Sequence, residues 1–226
     1  MQIKARICDG KIVEIWIITG VAEDGFAEDY NPYHDKRGRF AKAPHAVDKE
    51  KFCELLGKAR ASQPPDKAWR VDPQTVESIN TNHPNAKFYA TELESVFGVD
   101  ANGDIFGVCM HSDDDIEGHM LLKMAIDRGG TKLDSYGGNH KFYVRNGFLP
   151  VSWCEFNEEY VKHLGWRKGI DDPEPVIFYK YIGIDNARHK EAMEKYYPDW
   201  ENFTKDISPH KEYEDAQEYR DKEMKK

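Results

Sequence analysis

The stretch that decides the fold is GGTKLDSYGGNHKFYVRNGFLPVSWCEF, residues 129–156. Its first part, TKLDSY (131–136), is β-rich and predicts a strand, whereas NHKFYVRNG (139–147) predicts one compact helix. Gly147 ends that helix, because glycine adopts the left-handed conformation at a helix C-terminus with little strain. FLPVSWCEF (148–156) then predicts a second strand. The stretch therefore gives strand, helix and strand in immediate succession.

Strands and a helix on either side extend this pattern into a domain. Asn102-Gly103 is a strong hairpin signal between two of the strands, and Gly129-Gly130 stops the helix that precedes the central stretch. We therefore expect an α/β (α+β) fold in which residues 88–183 form one continuous, mixed and largely antiparallel sheet flanked by helices. The strands are KFYATEL (87–93), ESVFGVDA (94–101), DIFGVCMHS (104–112) and PVIFYKYIG (175–183), and the helix is EGHMLLKMAIDR (117–128).

Outside this core the sequence predicts a hairpin, a linker and a charged tail. Asp9-Gly10 suits a tight turn between the β-rich runs IKARIC and KIVEIWII, whereas the next residues are polar, charged and rich in turn formers. Apolar residues at helical spacing predict a helix over 49–62, and a shorter helix is expected over 73–80. The predicted parts are an N-terminal β-hairpin (1–22), a linker (23–46), the main domain (47–183) and exposed, charged C-terminal helices (184–226).

Composition limits the classes of partner. The chain has 226 residues and a formal net charge of -9, which disfavours nucleic acid as a partner because its phosphates are also negative. The longest apolar run, Ile12 to Val21, contains Glu14 and is too short to cross a bilayer about 30 Å thick, so neither a membrane partner nor a signal peptide is expected. Four widely separated cysteines are typical of free thiols in a reducing cytosol.

The order of predicted elements, together with FYVRNGF at 142–148, resembles the GNAT (N-acetyltransferase-like) superfamily. In that family a tyrosine, a glycine and an aromatic residue end the fourth helix, and here these are Tyr143, Gly147 and Phe148. The longer stretch 129–156 is similar to a bacteriophage-encoded subfamily that is sometimes fused to head-morphogenesis proteins. The segment NPYHDKRGRF (31–40) also resembles linkers in such phage proteins.

The resemblance implies acyl transfer from acetyl-CoA to an amine, with Tyr143 as the general acid. It places the pantetheine arm along the strand residues Phe106 to Met110, and therefore on Val108, Cys109 and Met110. The pyrophosphate is expected at the N-terminus of the next helix, at Gly118 and His119, where free N–H groups and the helix dipole favour an anion.

The loop at that helix departs from the family pattern. Gly118 stands where the family usually has two glycines and a basic or amide residue. Carboxylates at Asp113, Asp114, Asp115 and Glu117 surround the expected phosphate position, so acetyl-CoA is expected to bind weakly or not at all. The same acidic residues could instead cap the helix and stabilise its dipole. No metal site is expected.

Two functions therefore remain open from the sequence. One is a phage-encoded N-acetyltransferase, a transferase whose base would be Glu92, Glu94, Asp104 or His111. The other is a non-catalytic phage protein of virion assembly or interaction, with a phage structural protein or a host protein as partner. The expected location is the host cytoplasm or the virion.

Overall fold

The computed structural model describes residues 2–8, 11–18, 33–38 and 41–225. The chain divides into two units, Met1–Ala43 and Pro44–Lys226, which are treated separately. No helix among the described residues is long and apolar enough to cross a membrane.

The first unit contains the predicted hairpin. Strands β1 (Gln2–Cys8) and β2 (Lys11–Ile18) pair antiparallel, with Gln2 opposite Ile18. The hairpin prediction is therefore confirmed, although its turn at Asp9-Gly10 lies outside the described residues.

Half of the predicted linker also lies outside the described residues. The part that is described forms a turn in which the backbone N–H of Gly38 donates to the carbonyl oxygen of Asp35 at 2.9 Å. Lys36 and Arg37 are exposed. Tyr33 is buried, with 6% of its surface exposed.

The second unit begins with a four-stranded antiparallel sheet. Its strands lie in the order β3-β4-β5-β6, and the turn at Asn102-Gly103 joins the last two strands as predicted. The short strand β3 falls at the end of the predicted linker. The strands are β3 (His45–Val47), β4 (Lys87–Ala90), β5 (Val96–Val99) and β6 (Ile105–Cys109).

Helices α1 (Lys49–Ser62), α2 (Pro65–Ala68) and α3 (Val76–Asn82) precede β4. The first has the predicted bounds, because Asp48 caps it and its apolar stripe is buried. The third begins later than predicted, since Thr75 and Ser78 form a reciprocal capping box. An apolar cluster joins α1 and α3 to the sheet, and its buried members are Phe52, Leu55, Leu56, Ala59, Ile79, Phe88, Ala90, Val96 and Cys109.

The deciding stretch forms a three-stranded sheet with the order β7-β9-β8, in which both pairs are antiparallel. Gly147 has φ +89°, and an added Cβ would lie 3.0 Å from the Tyr181 ring, so the turn after the helix requires glycine. The elements are α4 (Gly118–Asp127), β7 (Lys132–Tyr136), α5 (His140–Arg145), β8 (Phe148–Cys154), α6 (Glu158–Val161) and β9 (Val176–Tyr181).

The two sheets are joined by one parallel bridge, between Asp104 and Lys132. The α+β class is confirmed, with mainly antiparallel pairing, but the prediction of one continuous sheet over residues 88–183 is wrong. The facing edges of β6 and β7 do not pair beyond this bridge in the described part of the chain.

The charged tail forms three helices, α7 (Ala187–Lys195), α8 (Trp200–Asp206) and α9 (Tyr213–Glu223). The expectation that this tail is exposed is wrong for α9, which packs on β8 and β9. Ala216 and Arg220 of α9 each have 0% exposed surface. The buried contacts of α9 combine the packing of Ala216 against Cys154 and Phe178 with the ion pair of Arg220 and Asp104.

Candidate functional site

The space between β6 and β7 is the candidate site, and we call it the β6–β7 gap. Hydrogen bonds pair β6 with β5 and β7 with β9, so one edge of each strand faces the gap. Phe106, Gly107 and Val108 on β6, and Asp134 and Ser135 on β7, keep partial exposure. Unpaired strand edges carry backbone donors and acceptors that need partners. A gap with this lining can accept an extended molecule that has amide groups.

The N-terminus of α4 lies beside this gap. A Cβ added at Gly118 would lie 3.3 Å from Met110 Sδ and 3.5 Å from a ring carbon of Phe142. The absence of a side chain at Gly118 therefore lets α4, the end of β6 and α5 approach one another. Glu117, the residue before the helix, makes no side-chain capping bond to the first turn.

The predicted cofactor-binding residues lie close in the chain but differ in environment. Cys109 is buried in the apolar cluster under α1, and burial raises its pKa to about 12. The carbonyl oxygen of Met110 accepts a hydrogen bond from Gln63 Nε2 at 2.6 Å. His119 is exposed and its Nδ1 lies 2.9 Å from Glu117 Oε2. Val108 keeps partial exposure.

The acidic residues before α4 do not form one cluster. Asp114 is buried; its Oδ2 accepts from the Thr91 hydroxyl at 2.5 Å and its Oδ1 from the Ile116 N–H at 3.1 Å. Asp114 therefore fixes the loop, whereas the Asp113 and Glu117 side chains are exposed. The described residues contain no group of three or more His, Cys, Asp or Glu that could hold a metal ion.

Tyr143 lies on α5 with its ring 5.9 Å from Phe148 and 5.5 Å from Tyr179, measured between ring centroids. Burial raises the pKa of its hydroxyl to about 12, and the nearby Ser135 side chain offsets part of that rise. Ser135 lies on the strand that borders the gap, and its Oγ accepts a hydrogen bond from Asn139 Nδ2 at 3.0 Å. The phenol therefore keeps its proton at neutral pH.

The sequence analysis named four residues as possible general bases for the amine, and at least three of them make contacts with other protein groups. Glu94 pairs with Lys58 at 3.4 Å, and Glu92 is exposed. Asp104 accepts two hydrogen bonds from Arg220 of α9. His111 Nδ1 accepts from the backbone N–H of Asp113 at 3.3 Å.

The structure adds Asp134, which the sequence analysis did not single out. It borders the gap on β7, where burial and the charge of Asp104 raise its pKa to about 6. The charge of Arg220 on α9 also acts on Asp134 and lowers its pKa. The sequence did carry a signal for Asp134, because a carboxylate is unusual within a β-rich segment such as TKLDSY (131–136).

Two surface hollows in the described part of the chain lie elsewhere. One, of about 400 Å³, is lined by residues that include Phe156, Trp166 and Asp172. The other, of about 220 Å³, lies between β8 and the C-terminal helices. Neither is lined by residues of β6 or β7.

Comparison with known proteins gives no assignment. The chain has no significant match to a protein-family model, to a curated protein or to a solved structure.

Proposed function

We propose that this chain is a GNAT-like acyltransferase of the phage-encoded kind, which transfers an acyl group from an acyl-CoA thioester to an amine at the β6–β7 gap. The observation that carries the proposal is that β6 and β7 run parallel, meet at Asp104 and Lys132, and then leave their facing edges unpaired. Strand edges of this kind can hydrogen-bond the amides of a pantetheine arm.

The chain fits the pantetheine arm of acyl-CoA better than it fits the pyrophosphate. The backbone of Phe106 to Met110 fits the pantetheine arm, although Gln63 already occupies the Met110 carbonyl oxygen. The N-terminus of α4 offers N–H groups, but the Glu117 carboxylate lies beside them and disfavours a pyrophosphate. Weak binding follows, with a dissociation constant well above the micromolar range.

Tyr143 is the proposed proton donor. When bound, the thioester supplies the activated acyl group and a thiolate that leaves. Tyr143 keeps its proton at neutral pH, because its pKa is raised to about 12. Its hydroxyl lies near Ser135, a residue of the strand that borders the gap. A phenol positioned in this way can deliver a proton as the leaving group departs.

The test is acetyl transfer from acetyl-CoA to a panel of polyamines and lysine peptides, followed by mass spectrometry of the acetylated product. Tyr143→Phe is expected to lower kcat about 100-fold while KM changes little, since the proton donor alone is lost. Tyr181→Phe, a partly buried tyrosine of β9, is the matched control and should retain activity. Equal turnover for Tyr143→Phe and wild type would remove Tyr143 from the mechanism.

The second candidate is a non-catalytic GNAT-like protein that acts in phage assembly or through a host protein. The observations that favour it are the Gln63 contact to Met110, the exposed carboxylates before α4, and the position of both hollows away from the gap. Under this alternative, no amine in the panel is acetylated and acetyl-CoA produces no saturable signal. The proposed location for either function is the host cytoplasm or the virion.

A further inference from the structure

His83 lies at the C-terminal end of α3, where its backbone N–H donates to the carbonyl oxygen of Ile79 at 2.8 Å. Its Nδ1 lies 3.1 Å from Asp100 Oδ2. Its ring stacks on the ring of Phe106, with 3.9 Å between the centroids and 6° between the planes. These contacts fix both the position and the plane of the imidazole.

The carboxylate of Asp100 is itself held in place. It lies in the turn between β5 and β6, where its Oδ1 accepts from the backbone N–H of Ala101 at 2.6 Å. Its own backbone N–H donates to the carbonyl oxygen of Asp104 at 2.8 Å. A carboxylate only accepts hydrogen bonds, so Nδ1 of His83 carries the proton and Nε2 carries the lone pair.

The second ring nitrogen distinguishes His83 from the buried histidines of the second sheet. Both ring nitrogens of His140, and both of His189, lie within hydrogen-bond distance of protein oxygen atoms. Nε2 of His83 has no such partner in the described part of the chain, and the side chain is 21% exposed. A histidine with one nitrogen held by a carboxylate and the other open can accept a proton from a ligand.

The strand register places His83 at the β6–β7 gap. Asp104 and Lys132 form the parallel bridge between the sheets. Two residues further along each strand, Phe106 and Asp134 therefore lie at the same level and on the same face. Burial raises the pKa of Asp134 and a charge on His83 lowers it, which agrees with their being neighbours. The imidazole that covers the Phe106 ring therefore borders the gap.

Tyr143 lies on the other face of the gap. Its hydroxyl is near Ser135, and successive residues of a strand point to opposite faces, so Ser135 and Asp134 face opposite ways. His83 and Tyr143 are therefore on opposite sides of β7. This arrangement suits a displacement at a carbonyl carbon, because the attacking group and the leaving group occupy different positions around that carbon.

We propose that His83 is the general base for the amine acceptor and that Asp100 positions it. The inference rests on the proposed acyltransferase function. His83 Nε2 accepts a proton from the amine nitrogen as that nitrogen bonds to the acyl carbon. The C–S bond breaks, and Tyr143 gives its proton to the departing sulfur. His83 then loses its proton to water and Tyr143 regains one from water. The acceptor is an amine that reaches the gap from the face that carries α3.

NMR of the imidazole nitrogens in the isotopically labelled full chain tests the dyad without any substrate. At about pH 8 the neutral ring of His83 is expected to carry its proton on Nδ1. In Asp100→Asn the side-chain oxygen keeps the bond from the Ala101 N–H and the amide NH2 faces His83, so the proton should move to Nε2. A proton on Nε2 in the wild type, or on Nδ1 in Asp100→Asn, would overturn the proposal.

Amine acetylation tests the catalytic role. His83→Gln should lower kcat/KM for the amine about 100-fold and change the dissociation constant of acetyl-CoA less than about three-fold, because only the base is lost. Asp100→Asn should also lower kcat/KM, since it leaves the imidazole in the wrong tautomer. His163→Gln is the matched control and should keep wild-type kinetics, because His163 is an exposed histidine that contacts Tyr160.

The outcomes separate the base from the activity. If the wild type acetylates an amine and folded His83→Gln retains that turnover, the assignment of His83 is overturned and the acyltransferase proposal stands. If the wild type acetylates no amine in the panel, both are overturned. Urea unfolding shows whether His83→Gln is folded. If it is not, Asp100→Asn decides, since its loss of kcat/KM must accompany the change of tautomer.

Discussion

The two sheets of the second unit are stabilised in different ways. The cluster that joins the first sheet to α1 and α3 is made of apolar side chains such as Phe52, Leu56 and Ile79. The second sheet and its helices bury apolar side chains as well, such as Phe148, Ile177 and Phe178, and in addition bury many polar side chains that need specific partners. These include Lys132, His140, Ser152, Lys180, His189 and Arg220.

Several of those partners lie in the C-terminal helices. Lys180 Nζ donates to the carbonyl oxygen of Glu223 at 2.9 Å, and Ser152 Oγ donates to that of Ala216 at 2.8 Å. An apolar cluster tolerates any side chain of suitable volume, whereas a buried polar group requires one partner in one place. The second sheet therefore depends on residues 184–226 through several buried polar contacts, and the first sheet is linked to them at Asp104, the residue before β6, through Arg220.

The largest expected effect follows from this dependence. Arg220→Ala leaves Asp104 buried without its guanidinium and should lower the free energy of unfolding by about 3–5 kcal/mol. Lys222→Ala on the exposed side of the same helix is the control, since its side chain is 66% exposed, and should change stability by less than about 0.5 kcal/mol. Urea unfolding measures both. A loss below about 1 kcal/mol for Arg220→Ala would show that α9 adds little to the second sheet.

The apolar cluster should respond to volume alone. Leu56 has 1% exposed surface, so Leu56→Ala should cost about 3 kcal/mol through lost burial and a cavity. Leu56→Met keeps the volume and should cost less than about 1.5 kcal/mol. Similar losses for the two variants in urea unfolding would mean that this cluster also demands one particular side chain.

His140 should make the second sheet sensitive to acid. Its Nε2 faces the carbonyl oxygen of Tyr196 at 3.2 Å and its Nδ1 faces the Tyr179 hydroxyl at 3.0 Å. Burial lowers its pKa to about 4, below the ordinary 6.5. The unfolded chain therefore takes up this proton first as pH falls, and the contribution to global stability drops by roughly 2 kcal/mol between about pH 7 and pH 5.

Chemical unfolding at the two pH values, for wild type and His140→Gln, isolates this contribution because glutamine does not titrate. The variant should lose less stability on acidification than wild type. An identical pH dependence for both would place the titration elsewhere.

The smallest effect is expected at Tyr143. Tyr143→Phe removes a buried hydroxyl near Ser135 but keeps the packing against Phe148 and Tyr179, so the loss should be about 1 kcal/mol. Thermal unfolding measures it. A loss of 3 kcal/mol or more would mean that the hydroxyl is mainly structural, and it would weaken its assignment as the proton donor.

The sequence predicted the features that depend on local pattern. The stripe Phe52, Leu55, Leu56 and Ala59 gave the bounds of α1, and Gly147 marked the end of α5 because its backbone conformation requires glycine. Contacts between distant residues were not accessible in this way. Thr91 and Asp114 are 23 residues apart, and Asp104 and Arg220 are 116 apart.

The candidate site was predictable only in part for the same reason. The sequence predicted the order of the elements that carry Met110, Gly118 and Tyr143. In the structure, the end of β6 at Met110 and the start of α4 at Gly118 come together near Phe142. The contact of Gln63 with Met110 and the burial of Arg220 had no sequence signal, because both side chains belong to polar segments typical of exposed surface.

The most direct test of the acyltransferase account is an NMR titration of the isotopically labelled full chain with acetyl-CoA. The account predicts saturable shifts in the backbone amides of Phe106 to Met110 and of Asp134 and Ser135, with a dissociation constant of roughly 0.1–1 mM, equivalent to about 4–5.5 kcal/mol. Shifts confined to the hollow near Trp166, or no shifts at about 5 mM acetyl-CoA, would contradict the assignment of the β6–β7 gap as the acyl-CoA site.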